Sequence, residues 1–154
     1  MASSAWSDEA CSEILDYLRE KCPDAVDGLL ESLAENFGLD APVDLDPADI
    51  AHCLSFQGDK LILASSATGQ GRAKTALTNA LAEAESKGIN FAFSASILAI
   101  IKCKHMVSLK KDYYPVSEIL HKSMHPDAFI GAALYEYPDM GDELNLTLIL
   151  SGIT

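Results

Sequence analysis

The feature that most constrains the fold is a change in hydrophobic spacing near residue 55. Before that point, apolar residues recur every three or four positions, which predicts helices. After it, short apolar runs alternate with helical stretches in the order β-α-β-α-β-β. This order predicts an α+β fold, a two-layer α/β arrangement in which two helices cover one face of a four-stranded mixed sheet.

Turn residues and apolar runs place the individual elements of this domain. Strands are predicted at 60–66, about 94–103, 127–137 and 143–152, and helices at 73–84 and 109–124. Pro115 either kinks the second helix or marks its true start. The first helix has a narrow apolar face that can lie close on a sheet, formed by Ala73, Ala76, Leu77, Ala80, Leu81 and Ala84. A short turn joins the last two strands, which are therefore predicted to be antiparallel.

Residues 1–42 are predicted to form an acidic helical N-terminal segment, and residues 43–154 the α/β domain. Helical spacing predicts one helix that Ser7 caps and Pro23 ends, and a second over 26–37. Cys11, Cys22 and Cys53 each fall on an apolar helical position. We interpret them as reduced core cysteines, which fits a cytosolic protein.

The net charge of −12 restricts the classes of partner. A chain this acidic is repelled by phosphate backbones and by anionic lipid, so neither nucleic acid nor a membrane surface is an expected partner. The most apolar stretch, residues 91–103, is shorter than the roughly 20 residues that a spanning helix needs. We therefore expect a cytoplasmic protein.

Three carboxylates lie close together in VDLDPADI, residues 43–50. Asp44, Asp46 and Asp49 could hold a metal, position a water molecule or start a helix. Asp46 directly precedes Pro47, and proline is favoured at the first helical position, so Asp46 is predicted to be a helix N-cap. Asp49 then lies in the first turn, where the helix dipole favours a negative charge.

Two other stretches have residue patterns that resemble binding sites. TGQGRAKT, residues 68–75, follows a strand and opens a helix, but it lacks the glycine before the lysine of a phosphate-binding loop, so a tight turn is favoured. His121 and His125 have the spacing of metal ligands on a helix. The residues between them include no acidic base, and the helix dipole alone favours histidine there. No metal and no cofactor are predicted.

Four segments resemble the C-terminal domain of FtsZ, the bacterial tubulin-like division GTPase. PDMGDELNLTLILSGI resembles the end of that domain, and GQGRAKTAL resembles a segment that opens a helix after a strand. VDLDPADI resembles the synergy loop, and AVDGLLESLAENFG resembles the end of the central helix before that loop. The order and spacing of the four segments agree with the family, and the resemblance runs from about residue 25 to 154.

The resemblance implies a role in protein interaction rather than catalysis. The glycine-rich nucleotide signature of the family does not occur in these residues, so the chain is expected not to be an enzyme. Asp46 and Asp49 match the two acidic positions of the synergy loop, which in the family act on the nucleotide of a neighbouring subunit. Asp44 replaces an asparagine, and Pro47 replaces an aromatic or apolar residue.

The implied partner is FtsZ or another tubulin-like GTPase. The chain would bind or cap FtsZ filaments through its synergy-loop face and so modulate bacterial cell division. The alternative is a stand-alone domain descended from FtsZ with no filament role, which self-associates or binds a ligand. In that case the loop aspartates are helix caps only.

Overall fold

The computed structural model describes residues 41–44 and 47–153, together with Glu13, Asp16, Tyr17, Arg19 and Glu20. These five residues have helical backbone, which agrees with the first predicted helix. The second predicted helix, Cys11, Cys22 and Asp46 lie outside the described residues.

The described elements follow the predicted order. The helices are α1 (Pro47–Leu54), α2 (Arg72–Ser86), α3 (Leu109–Asp112) and α4 (Tyr114–Ser123), and a 3-10 turn spans Phe91–Phe93. The strands are β1 (Asp59–Ala67), β2 (Ser96–Cys103), β3 (Phe129–Glu136) and β4 (Leu144–Ile153). The stretch predicted as one helix is divided at Tyr113, and Pro115 lies in the first turn of α4. Pro115 therefore marks a true helix start.

The four strands form one mixed sheet in the order β1-β4-β2-β3. β4 is antiparallel to both β1 and β2, and β3 is parallel to β2. The last two strands run in opposite directions, as predicted, but they are not paired with each other. The connection between them crosses the end of β2, where the backbone N–H of Tyr137 donates to Cys103 O at 2.7 Å. Because of this crossing, β4 and β2 occupy the two central positions of the sheet. These two strands bury most of their residues.

Helices α2 and α4 cover one face of the sheet and build the main core with it. All six residues of the predicted apolar face of α2 are buried. Four of the six are alanines, so the helix axis can approach the sheet closely. Leu77 is fully buried, which contributes roughly 2 kcal/mol of stability relative to an exposed leucine.

Helix α1 packs on the opposite face, over β2 and β3, and buries Ile50, Leu54 and Cys53, the last of which was predicted to be a core cysteine. The part of this face over β1 is open, since Ile62, Ala64 and Ser66 are exposed. Residues 143–148 alternate strictly between polar and apolar, which predicts that one face of β4 is wet, and this prediction holds only in part. Asn145 and Thr147 are half-buried, whereas Ile149 and Ser151 further along the strand are buried.

Candidate functional site

The acidic loop is attached to the free edge of β3. The backbone N–H of Leu134 donates to Val43 O at 2.8 Å, and this antiparallel bridge adds a single residue to the sheet. The next side chain, Asp44, is exposed, and its Oδ1 accepts a hydrogen bond of 2.7 Å from the hydroxyl of Tyr135. Tyr135 is only 1% exposed. A buried, rigid ring therefore determines where this carboxylate lies.

Helix α1 places the other described carboxylate of the loop. The helix begins at Pro47, as predicted, and Asp49 is exposed in its first turn. Asp46, the predicted N-cap, lies outside the described residues. The structure therefore places two of the three predicted site residues, Asp44 and Asp49, on either side of the start of α1.

Helix α1 is in turn fixed to the sheet. Ser96 Oγ in β2 donates to Cys53 O at 2.9 Å and lies 2.9 Å from Cys53 Sγ. The ring of His52 makes edge contacts with Phe56 and Phe129, with ring centroids 5.1 and 4.8 Å apart. Asp44 is thus attached to β3 through Tyr135, and Asp49 lies on a helix that is attached to β2.

A buried ion pair that the sequence did not predict lies at the start of α2, on the sheet face opposite α1. Arg72 binds both carboxylate oxygens of Asp112, with Nε–Oδ1 and Nη2–Oδ2 distances of 3.0 Å. Asp112 Oδ2 also accepts from the backbone N–H of Val107. The same guanidinium donates to the backbone oxygens of His105 and Asp142. One side chain therefore joins α2, α3 and two loops.

These contacts shift the pKa of both partners. Burial alone would raise the pKa of Asp112, but the hydrogen bonds from Arg72 and Val107 and the nearby positive charge lower it below its ordinary value. The hydrogen bond with Asp112 raises the pKa of Arg72. Burial raises the pKa of the neighbouring Cys103 thiol to about 11. Arg72 lies in the first turn of α2, where the helix dipole disfavours a positive charge. This position was the only signal in the sequence that Arg72 has an acidic partner.

The stretch 68–75 forms a tight turn, as favoured. Gly69 and Gly71 both have positive φ, and α2 begins directly after them. The turn borders an open cleft of about 460 Å³ whose lining includes Arg72, Lys104 and His105. The guanidinium of Arg72 already binds Asp112, so the cleft lies on the solvent side of this ion pair.

The two histidines with metal-ligand spacing make local hydrogen bonds. His121 Nδ1 donates to Ser117 O at 2.7 Å, within its own helix. His125 lies just beyond the end of α4, and its Nδ1 accepts from the backbone N–H of Asp127 at 3.1 Å. In the described part of the chain, no three histidine, cysteine or acidic side chains come together in a way suited to a metal ion. None of the described helices combines the length and apolar character needed to cross a bilayer.

No family model and no curated protein matches this chain. Solved structures do match it. The W319Y mutant of FtsZ from M. jannaschii superposes with a TM-score of 0.68 at 18% identity, over 88% of this chain and 44% of that one. TubZ from Bacillus thuringiensis serovar israelensis, in GDP-form protofilaments, gives a TM-score of 0.55 at 12% identity, over 95% and 49% of the two chains.

CetZ2 from Haloferax volcanii, in a GTPγS-bound protofilament, gives a TM-score of 0.50 at 14% identity, over 88% of this chain and 45% of that one. The chain thus spans less than half of the length of each of these proteins. The mixed sheet, the helices on its faces and these partial superpositions identify the fold as that of an FtsZ/tubulin-like C-terminal domain.

Proposed function

We propose that this chain is a non-catalytic interaction protein that binds FtsZ or another tubulin-like GTPase through its acidic loop face. In the sequence, the aspartates of that loop are Asp44, Asp46 and Asp49. Bound at the nucleotide end of a filament, it blocks the addition of further subunits and so modulates cell division. The observation that carries the proposal is the buried Tyr135, which holds the Asp44 carboxylate outward at 2.7 Å.

Pre-ordering of the loop favours a docking role. Association has to overcome the entropy of any loop that becomes ordered on binding. Here the Val43–Leu134 bridge holds the loop before α1, and the Ser96–Cys53 hydrogen bond holds α1 itself. A partner therefore meets Asp44 and Asp49 already in place, and little ordering entropy opposes binding.

The charge of the loop face defines the partner surface. Asp44 and Asp49 are exposed in a chain of net charge −12. Such a face attracts basic side chains, or a cation bound beside a nucleotide, and it repels bare phosphate. A binding surface on the partner thus needs a positive group at its centre.

These 154 residues contain no glycine-rich nucleotide signature, so the pure polypeptide should not turn over GTP. Phosphate release measured from GTP with the polypeptide alone checks this. Release above the buffer rate that scales with polypeptide concentration, and is lost in Asp49→Ala, would contradict the non-catalytic assignment.

Binding is tested by mixing the polypeptide with purified FtsZ and GTP and measuring pelleted polymer and phosphate release. We expect both to fall as the polypeptide approaches equimolar amounts. Asp44→Ala and Asp49→Ala should each weaken this effect about fivefold or more, as expected for charged contacts in an interface. Glu118→Ala, an exposed carboxylate on α4 at the other sheet face, is the matched control and should act like wild type. Unchanged polymer and turnover at a several-fold excess would exclude FtsZ as the partner.

A further inference from the structure

Strand β1 is an open edge of the sheet. It pairs with β4 on one side, and on its other side no described residue pairs with it. Its only irregularity in register lies between Asp59 and Leu61, so the strand is regular from Leu61 to Ala67. An unpaired regular edge presents backbone N–H and C=O groups that can pair with another strand.

Beyond Asp59 and Lys60 at its start, β1 carries none of the charges that usually protect an edge strand. No charged residue occurs from Leu61 to Gly71, although 22% of the whole chain is charged. Ile62 is 39% exposed beside the edge, and Ala64 and Ser66 are exposed with it. Two copies of a chain with net charge −12 can therefore approach each other here with little local repulsion.

Helix α2 presents complementary charges beside the same edge. Arg72 points toward α3, where it binds Asp112, so the opposite flank of α2 lies on the β1 side. At about 100° per residue, that flank includes Lys74, Thr78 and Glu85. Lys74 and Glu85 are exposed, and neither forms an ion pair with another described residue.

A single twofold axis can produce both β1–β1 pairing and contacts between the two α2 helices. Antiparallel pairing of two β1 strands about Leu63 sets Ile62 opposite Ala64 of the second copy. Leu63 lies roughly 13 Å before the end of β1, and the same distance along α2 from Arg72 reaches a residue near 80. An axis at that point brings Lys74 of one copy to Glu85 of the other, and the reverse.

We propose that the chain forms a homodimer by antiparallel β1–β1 pairing, with reciprocal Lys74–Glu85 contacts between the two α2 helices. The two four-stranded sheets then form one continuous sheet of eight strands. The loop bearing Asp44 is bound at β3, the opposite edge of each sheet. If that loop has the function proposed above, the dimer presents two binding faces and links two partners rather than occupying one.

The test is the mass in solution of the 154-residue polypeptide, measured by sedimentation and light scattering over a concentration series. We expect twice the chain mass of 16.5 kDa. Ile62→Lys should abolish the dimer. Lys74→Glu and Glu85→Lys should each raise the dimer dissociation constant about tenfold, because each creates two like-charge contacts across the axis. The double charge reversal should return it to within about threefold of wild type.

Glu118→Lys on α4 is the control and should leave the dimer intact, and circular dichroism should verify that every variant is folded. A monomer at all concentrations up to about 1 mM would overturn the proposal. So would a dimer that is insensitive to both single reversals, or a double variant that fails to recover. Asp44→Ala and Asp49→Ala should not change the dimer, so loss of partner binding in these variants tests the proposed function separately.

Discussion

The hydroxyl of Tyr135 donates a 2.7 Å hydrogen bond to Asp44 Oδ1 across a sequence separation of 91 residues. Tyr135 belongs to an edge strand, and α1 covers the face of that strand that lies opposite α2 and α4. Asp44 belongs to the loop that leads into α1. This contact sets the position of the exposed carboxylate while the ring remains buried.

Tyr135→Phe should therefore affect both stability and docking. The ring still fills its site, but the hydrogen bond is lost, which should cost about 1 kcal/mol and lower Tm by about 3 °C. The proposed inhibition of FtsZ polymerisation should weaken several-fold, because Asp44 loses this hydrogen bond. Tyr114→Phe removes a hydroxyl from a half-exposed ring and should change neither property. If Tyr135→Phe acts like Tyr114→Phe, the loop is ordered by other contacts.

Replacement of Arg72 should strongly destabilise the fold. Arg72→Met leaves the carboxylate of Asp112, 2% exposed, without its charged partner, which should cost about 3 kcal/mol or more in urea unfolding. Arg72→Lys should recover only part of this, since an ammonium cannot bind both oxygens in a fork. Lys87→Met, which removes an exposed pair with Glu83, should cost less than about 1 kcal/mol. Equal losses for Arg72→Met and Lys87→Met would contradict the structural role of the buried pair.

The same pair predicts a dependence of stability on pH. The pKa of Asp112 in the folded protein is lower than its ordinary value of 3.8. The unfolded state therefore takes up a proton first as the pH falls, and the stability that Asp112 contributes is fully present above that ordinary value. It is lost as the pH falls further through the folded pKa. The difference in unfolding free energy between wild type and Asp112→Asn should be constant near neutral pH and shrink below about pH 4. A difference that grows on acidification would show the opposite shift.

Gly152 should not tolerate a side chain. Its φ is +66°, and an added Cβ would lie 2.5 Å from the Cβ of Ala95. Gly152→Ala should therefore destabilise the fold by about 3 kcal/mol, from backbone strain together with overpacking. Gly69 also has positive φ but has open space around it, so Gly69→Ala should cost only about 1 kcal/mol. Thermal unfolding of the two variants measures this difference. Equal losses of stability would mean that Ala95 can move away from the added Cβ without an energetic penalty.

Much of the domain could be predicted from local sequence. The spacing of apolar residues predicted the order of strands and helices, and the buried face of α2 was predicted residue by residue. Pro47 correctly marked the start of α1, because a proline ring favours the first helical position. Each of these features depends on contacts or dihedral angles within one element, which a short stretch of chain determines.

The arrangement of the site required the tertiary structure. The sequence predicted three aspartates near one helix start but gave no reason to expect Tyr135 beneath Asp44. It also showed Arg72 in a helix N-terminal turn without indicating Asp112, 40 positions away, as its partner. Side chains from distant elements meet only when the strand order is known, and hydrophobic periodicity does not encode that order.

The sequence alone determined which segments become helices or strands and which of their faces become buried, because spacing and turn residues act over a few positions. Only the tertiary structure decided that β4 lies between β1 and β2, that no described residue pairs with the outer side of β1, and that Tyr135 donates a hydrogen bond to Asp44. The physical reason is that the most apolar strands are buried at the centre of the sheet. Which strands these are depends on a comparison of all four, so the sequence of one segment does not determine the order.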